Sequence, residues 1–234
     1  MKGPDMKHVL DNVVWHALTG PHRTLAIGCG QARHYPRDVA PFSAIADPTP
    51  LAYAELAADL PLGTEARLFR PTVEALPAGW AEIGVFPMLQ MVAERAPSQS
   101  DPDVEPLRLG SADVPDMLAL AAIGQPGPFA ARTVELGAYL GVRHDGKLVA
   151  MAGERMRVPG YVELSAICAH PAARGRGHAT LLTRALMRAA FDRGEVPFLH
   201  VRPDNAHAVA LYESLGFALR RELVVVWRKP LASS

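Results

Sequence analysis

Apolar and polar positions recur along this chain in two periods, and each change of period marks an element. The second half reads most clearly. "PLRLG" is a short strand, and "VPDMLALAAI" is a helix with Pro115 in its first turn. "PGPFAARTVEL" is a loop running into a short helix. "AYLGVRHDGKLVAMAGERMR" is a hairpin turning at Asp145-Gly146, and Pro159-Gly160 turns the chain again into the strand "YVELSAICA". Leu182, Leu186, Ala189 and Ala190 then share one helix face, in a helix predicted to reach about Arg193. The strand "PFLHV", the helix "NAHAVALYESL" and the strand "ALRRELVVVW" complete the order.

The first half mixes both element types. "DNVVWHAL" reads as a short helix capped by Asp11, and "RTLAIG" and "FSAIAD" as strands. "PLAYAELAADL" is a helix with Pro50 at its start, and "EARLFR" alternates as a strand does. "EIGVFPMLQMV" is apolar and extended, with Pro87 limiting it to a sheet edge or a bulge. "APSQSDPDVEP", rich in Pro, Ser and Asp, is a linker over residues 96–106. The expected organisation is an N-terminal α/β domain over 1–95, that linker, and a second domain over 107–230.

Charge and cysteine content narrow the function. The chain of 234 residues carries 24 basic and 24 acidic side chains, which argues against nucleic acid as a partner. Two cysteines, Cys29 and Cys168, are too few for a disulfide framework and read as reduced thiols of a cytoplasmic protein. No stretch approaches the roughly 18 apolar residues of a membrane span, and the start is not a signal peptide.

"HPAARGRGHATLLTRAL" holds the candidate chemistry. Its glycines fall between the strand ending at Ala169 and the following helix. A helix start has unpaired N–H groups and partial positive charge. Gly175 and Gly177 let backbone approach a large anion closely, and Arg174 and Arg176 add charge at the rim. The plainer alternative is a glycine turn at a solvated basic helix start. The pattern is neither a P-loop nor a dinucleotide fingerprint.

Arg174-x-x-Gly177-x-Ala179 resembles the cofactor motif of the GNAT superfamily of acyl-coenzyme A-dependent N-acyltransferases. "Asn205-x-x-Ala208-x-x-Leu211-Tyr212-x-x-x-Gly216-Phe217" is similar to its second block, and residues 107–227 follow its element order. Its FR-type branch and the glycine N-acyltransferase-like proteins are the nearest in character. The resemblance implies an α/β (α+β) fold, a mixed and mostly antiparallel twisted sheet flanked by helices. The smaller N-terminal domain is then either a degenerate half of that fold or a separate element that covers the acceptor side or mediates pairing as a homodimer.

It also implies acetyl-CoA as cofactor and the primary amine of a small molecule or peptide as acceptor, with direct transfer in a ternary complex and no metal. The backbone of Ile167, Cys168 and Ala169 would bind pantetheine and polarise the thioester carbonyl. Arg174, Gly175, Arg176, Gly177, His178, Ala179 and Thr180 would hold the pyrophosphate. Tyr212 would be the general acid, and Asn205 would bind cofactor or cap its helix. His200 stands where some members carry a glutamate base. Glu163 and then Glu154 are further candidates, and a water chain is another. Arg132 would hold a substrate carboxylate.

Each side chain also has a structural reading: Tyr212 and His200 as core residues, Arg132 as a surface arginine. Two other functions fit parts of the sequence. One is an acyl-CoA-binding sensor without transfer. The other is a methyltransferase, from "TLAIGCGQARHY" and "AIADPTP". Pro36 and Pro41 deny the latter its crossover helix, since parallel strands need a connection of about a dozen residues or more.

Overall fold

The computed structural model describes residues 8–97 and 105–231, so most of the expected linker, residues 98–104, lies outside the described residues. In chain order the elements are α1 (Val13–Thr19), β1 (Ala32–His34), β2 (Ser43–Ile45), α2 (Pro50–Asp59), β3 (Ala66–Arg70), β4 (Trp80–Ala93), β5 (Leu107–Leu109), α3 (Val114–Gly124), β6 (Tyr139–His144), β7 (Lys147–Val158), β8 (Tyr161–Ala169), α4 (His178–Asp192), β9 (Val196–Val201), α5 (Ala206–Ser214) and β10 (Phe217–Pro230).

The described chain falls into two compact units. One takes the residues up to Pro36, Pro41–Pro87 and those from Leu223 on; the other takes Arg37–Ala40 and Met88–Glu222. β4 and β10 are long strands whose residues divide between the two.

In the first unit β1 and β2 form an antiparallel ribbon, and β3 pairs antiparallel with Val224–Arg228 of β10. Thr49 caps α2 by accepting from the Ala52 N–H, and Pro50 opens the helix. Tyr53 and Leu56 then face Leu68, Trp80 and Val226 in a buried core. Two expectations fail here. "RTLAIG" is not a strand: Arg23–Leu25 is a 3-10 turn, and Ile27 alone bridges to His34. Asp11 does not cap α1; it lies in a preceding 3-10 turn, where its carboxylate accepts from the His8 N–H. Asn12 precedes α1 but spends its side chain on the Ile45 and Ala46 carbonyls.

The second unit is a sheet in the order β10–β4–β9–β8–β7–β6–β5. Its pairing is antiparallel between β4 and β9 and along β8–β7–β6–β5, and parallel between β8 and β9. The hairpin between β6 and β7 turns at Asp145 (φ 49°) and Gly146 (φ 76°), the left-handed pair that matches strand twist. Pro87 does not put β4 at an edge. It is exposed, and the β9 pairing of β4 begins after it at Leu89, so its missing N–H takes nothing from that ladder.

Helices cover both faces of this sheet. On one, Leu182, Leu186 and Met187 of α4, with Tyr212 and Leu215, pack on Met91, Leu164, Leu199 and Val201. On the other, Met117 and Leu120 of α3 pack on Leu109, Tyr139, Met151 and Cys168. α4 is stopped by Gly194 (φ 74°), whose N–H donates to the Phe191 carbonyl. Burial of each large aliphatic side chain stabilises by about 1.5–3 kcal/mol, so α4 is held chiefly through this stripe.

Candidate active site

Two backbone irregularities on β8 shape the site. Met151 pairs with Cys168 and Gly153 with Ser165, so Ala166 and Ile167 together oppose Ala152. This is a β-bulge, and Ala166 sits at φ 54°, a left-handed conformation that alanine rarely adopts. On its other side β8 pairs with β9 only over Tyr161–Glu163 and Val196–Phe198. Beyond Glu163 and Phe198 the two strands part into a fork. Ile167 and Ala169 are half-buried along it, and Cys168 is buried, which pushes its thiol up to about 12.

The next turn leads to the start of α4. Gly175 and Gly177 both have φ 75°, and a Cβ at either would meet nothing within 4 Å. Glycine is required there by backbone conformation, not by crowding, and the space outside is open. Gly177 is the N-cap of α4 and offers no side-chain cap, so the N–H groups of the first turn over His178, Ala179 and Thr180 have no capping side chain. Arg174 and Arg176 stand exposed beside them.

Tyr212 lies in the core cluster that Ile167 and Ala169 border, with its ring edge-on to Phe217 at 6.0 Å. Burial pushes its hydroxyl up to about 12, so it keeps its proton at neutral pH. Asn205 caps α5: its side chain accepts from the Ala208 N–H, and it is exposed.

His200 and Glu163 come together, but away from solvent. His200 Nδ1 is 2.7 Å from Glu163 Oε1, and neither side chain has any exposure. His200 as a residue is half-buried, so its exposed part is main chain, at the fork. Arg155 donates to both Glu163 oxygens, at 2.9 and 2.6 Å. Burial alone would raise the Glu163 pKa; the Arg155 charge and hydrogen bonds, with the hydrogen bond from His200, outweigh it and hold the carboxyl well below its usual range. Glu154 is buried elsewhere, between Arg157 (2.9 Å) and Arg193 (2.5 Å).

Arg132 is exposed and already engaged. It donates to both Glu135 oxygens at 2.7 and 2.8 Å, which raises its pKa further, and it lies 3.5 Å from Asp38. Its backbone N–H donates to the Asp38 carbonyl, and the Thr133 hydroxyl to that of Val39. The loop after α3 is thereby tied to residues 37–40.

Sequence reasoning missed Gln90, Arg155, Arg220 and Tyr139. Gln90 is fully buried beside His200. The signal for it was available, as a lone amide in the apolar run "VFPMLQMV". Tyr139 is buried with a hydroxyl that has no hydrogen-bond partner, its ring edge-on to Phe129 of the loop after α3.

Comparison with known proteins places the chain in a family. A family model described as FR47-like protein matches residues 139–226. An acetyltransferase of the GNAT family from Novosphingobium aromaticivorans superposes with a TM-score of 0.88 at 43% identity, over 97% of this chain and 100% of that one. The chain belongs to the GNAT family. N-alpha-acetyltransferase RimI of Mycobacterium tuberculosis is 38% identical over 129 residues, which are 49% of this chain and 80% of that protein. A GCN5-related N-acetyltransferase from Kribbella flavida shares the fold, with a TM-score of 0.62 at 20% identity over 93% and 94% of the two chains. As a GNAT member this chain is an acyl-CoA-dependent N-acetyltransferase. No helix among the described residues is long and apolar enough to cross a membrane.

Proposed function

We propose that the chain moves an acetyl group from acetyl-CoA to an α-amino group of a peptide or small molecule, directly and within a ternary complex. The observation that carries this reading is the fork between β8 and β9 beside the open, glycine-cornered start of α4. A thioester arm needs an unpaired strand edge, and a pyrophosphate needs unpaired N–H groups with nothing in front of them. The α-amine is suggested by the name of the relative RimI, an N-alpha-acetyltransferase.

When bound, acetyl-CoA supplies an activated acetyl thioester. Backbone from Arg174 to Thr180 would take its pyrophosphate, with Arg174 and Arg176 adding charge. Backbone of Ile167, Cys168 and Ala169, redirected by the bulge, would line the arm and polarise the carbonyl. The N–C bond forms as the C–S bond breaks, and Tyr212 gives its hydroxyl proton to the departing sulfur and regains one from water. The amine's surplus proton goes to water. An α-amino group has a pKa of about 7.7–8.0, so roughly a tenth of it is neutral at pH 7 and no strong side-chain base is required. His200 and Glu163, without exposed side-chain surface, act as a positioning pair. Arg132 braces the loop after α3 through Glu135 and Asp38; a substrate carboxylate would have to displace Glu135.

The test pairs calorimetric titration of acetyl-CoA with a thiol-release assay. The panel holds peptides with free α-amines, the same peptides N-terminally blocked, and lysine-like alkylamines. Thiol release confined to free α-amines supports the reading. Release only with alkylamines rejects the α-amine, and binding without release rejects transfer.

A further inference from the structure

A continuous string of hydrogen bonds crosses five adjacent strands of the second unit, with one residue from each. Arg155 on β7 holds Glu163 on β8, Glu163 holds His200 on β9, His200 meets Gln90 on β4, and Gln90 accepts from Arg220 on β10. Local geometry explains the alignment. Gln90 and His200 are register partners, and Arg155 and Met156 bulge together opposite Glu163. The string lies on the face opposite Leu199, Val201 and Leu164, which alternate with its members toward α4.

Donor and acceptor rules assign the bridging protons from Arg220 to Glu163. The Arg220 guanidinium only donates, and its Nη1 is 2.7 Å from Gln90 Oε1, so the carboxamide oxygen faces Arg220. The Gln90 NH2 therefore faces His200 Nε2, at 3.0 Å, and that nitrogen must accept. At the other ring nitrogen Glu163 is a carboxylate doubly bound by Arg155, so Nδ1 must donate. Two independent ends of the string demand the same neutral Nδ1–H tautomer.

The place of this histidine gives the tautomer a consequence. The last parallel pair between β8 and β9 is Glu163 with Phe198, so the Glu163–His200 bond crosses the strands where the fork opens. We infer that Gln90 is a positioning residue of the transfer site: it fixes the His200 tautomer and, through His200 and Glu163, holds the mouth of the fork. Gln90 lies outside the residues 139–226 matched by the family model. The inference rests on the transfer reading for its effect on rate, but not for its effect on the ring.

The experiment uses the full chain labelled with 15N-histidine, and His200 is assigned by the resonance that His200→Gln removes. The wild type is expected to show His200 as the Nδ1–H tautomer. In Gln90→Glu a carboxylate faces Nε2, so His200 is expected to become protonated at Nε2. The accompanying expectation is a kcat lower by roughly tenfold to a hundredfold, as for a displaced reacting group, with the Kd of acetyl-CoA within about twofold. A wild-type His200 protonated at Nε2 alone overturns the inference. So does an unchanged ring in Gln90→Glu, or a changed ring with unchanged kcat. Should Gln90→Glu not fold, Arg220→Met removes the donor that orients the carboxamide oxygen; mixed tautomers then support the inference, and an unchanged ring rejects it. A wild type that shows the expected tautomer but neither binds acetyl-CoA nor releases thiol overturns the transfer reading while the clamp on His200 stands.

Discussion

His200 Nδ1 stands 2.7 Å from Glu163 Oε1, and neither side chain has solvent exposure. The pair is therefore tested as a structural unit before it is tested as a base. His200→Ala takes one hydrogen bond from a buried carboxylate, and hydrogen bonds to charged groups contribute about 1.5–3 kcal/mol. We expect urea unfolding to show a loss of that order. The pH profile of kcat/KM is expected to keep its shape at reduced amplitude. Loss of the rising limb would instead make His200 the proton acceptor, provided the limb does not move with the amine's own pKa.

Glu163 predicts the acid limb of stability. Its carboxyl is held at about 2 in the folded chain, below the ordinary value of 4.5, so the folded state favours the carboxylate. That stability is fully present above pH 4.5 and is lost as pH falls from there toward about 2, because the unfolded chain takes up the proton first. Denaturant melts at pH 6 and pH 3 should show the loss. Glu163→Gln should lower stability at pH 6 and flatten this part of the dependence. An equal slope in the variant would assign the acid limb to other carboxyls.

Gly177 separates cofactor binding from folding. Its φ of 75° strains any other residue by about 1–2 kcal/mol, but the space around it is open. Gly177→Ala should fold with a modest loss of stability. Gly177→Glu should fold as well and abolish acetyl-CoA binding, since its carboxylate would occupy the anion's place. Calorimetric titration reads both. Unchanged affinity in a folded Gly177→Glu removes the assignment of this loop.

Tyr212→Phe keeps the ring packed on Phe217 and removes only the hydroxyl. Transfer of a proton by a positioned acid contributes about 10²–10⁴-fold, so kcat should fall within that range while the Kd of acetyl-CoA holds. A fall of less than about threefold with a good acceptor would leave Tyr212 a packing residue, since so small a change lies far outside that range.

Local chemistry decided much of this protein in advance. Asp145-Gly146 specifies a left-handed two-residue turn, Gly194 stops α4, and Gly175 and Gly177 mark the turn before it, because φ preferences act within a residue or two. The apolar stripe of α4 and the order of elements from β5 to β10 followed from periodicity and these turn signals. Tertiary structure decided what depends on register. Gln90 meets His200 across 110 positions of sequence, and only the pairing of β4 with β9 puts them opposite each other. Ala166 gives no sign of its positive φ, because the bulge arises from the mismatch between two paired strands. Nothing local in the sequence marks Asp38 as a partner of Arg132; folding brings residues 37–40 beside it. A side chain's type says which partners it needs; which partner it finds is settled by the backbone pairing that carries both.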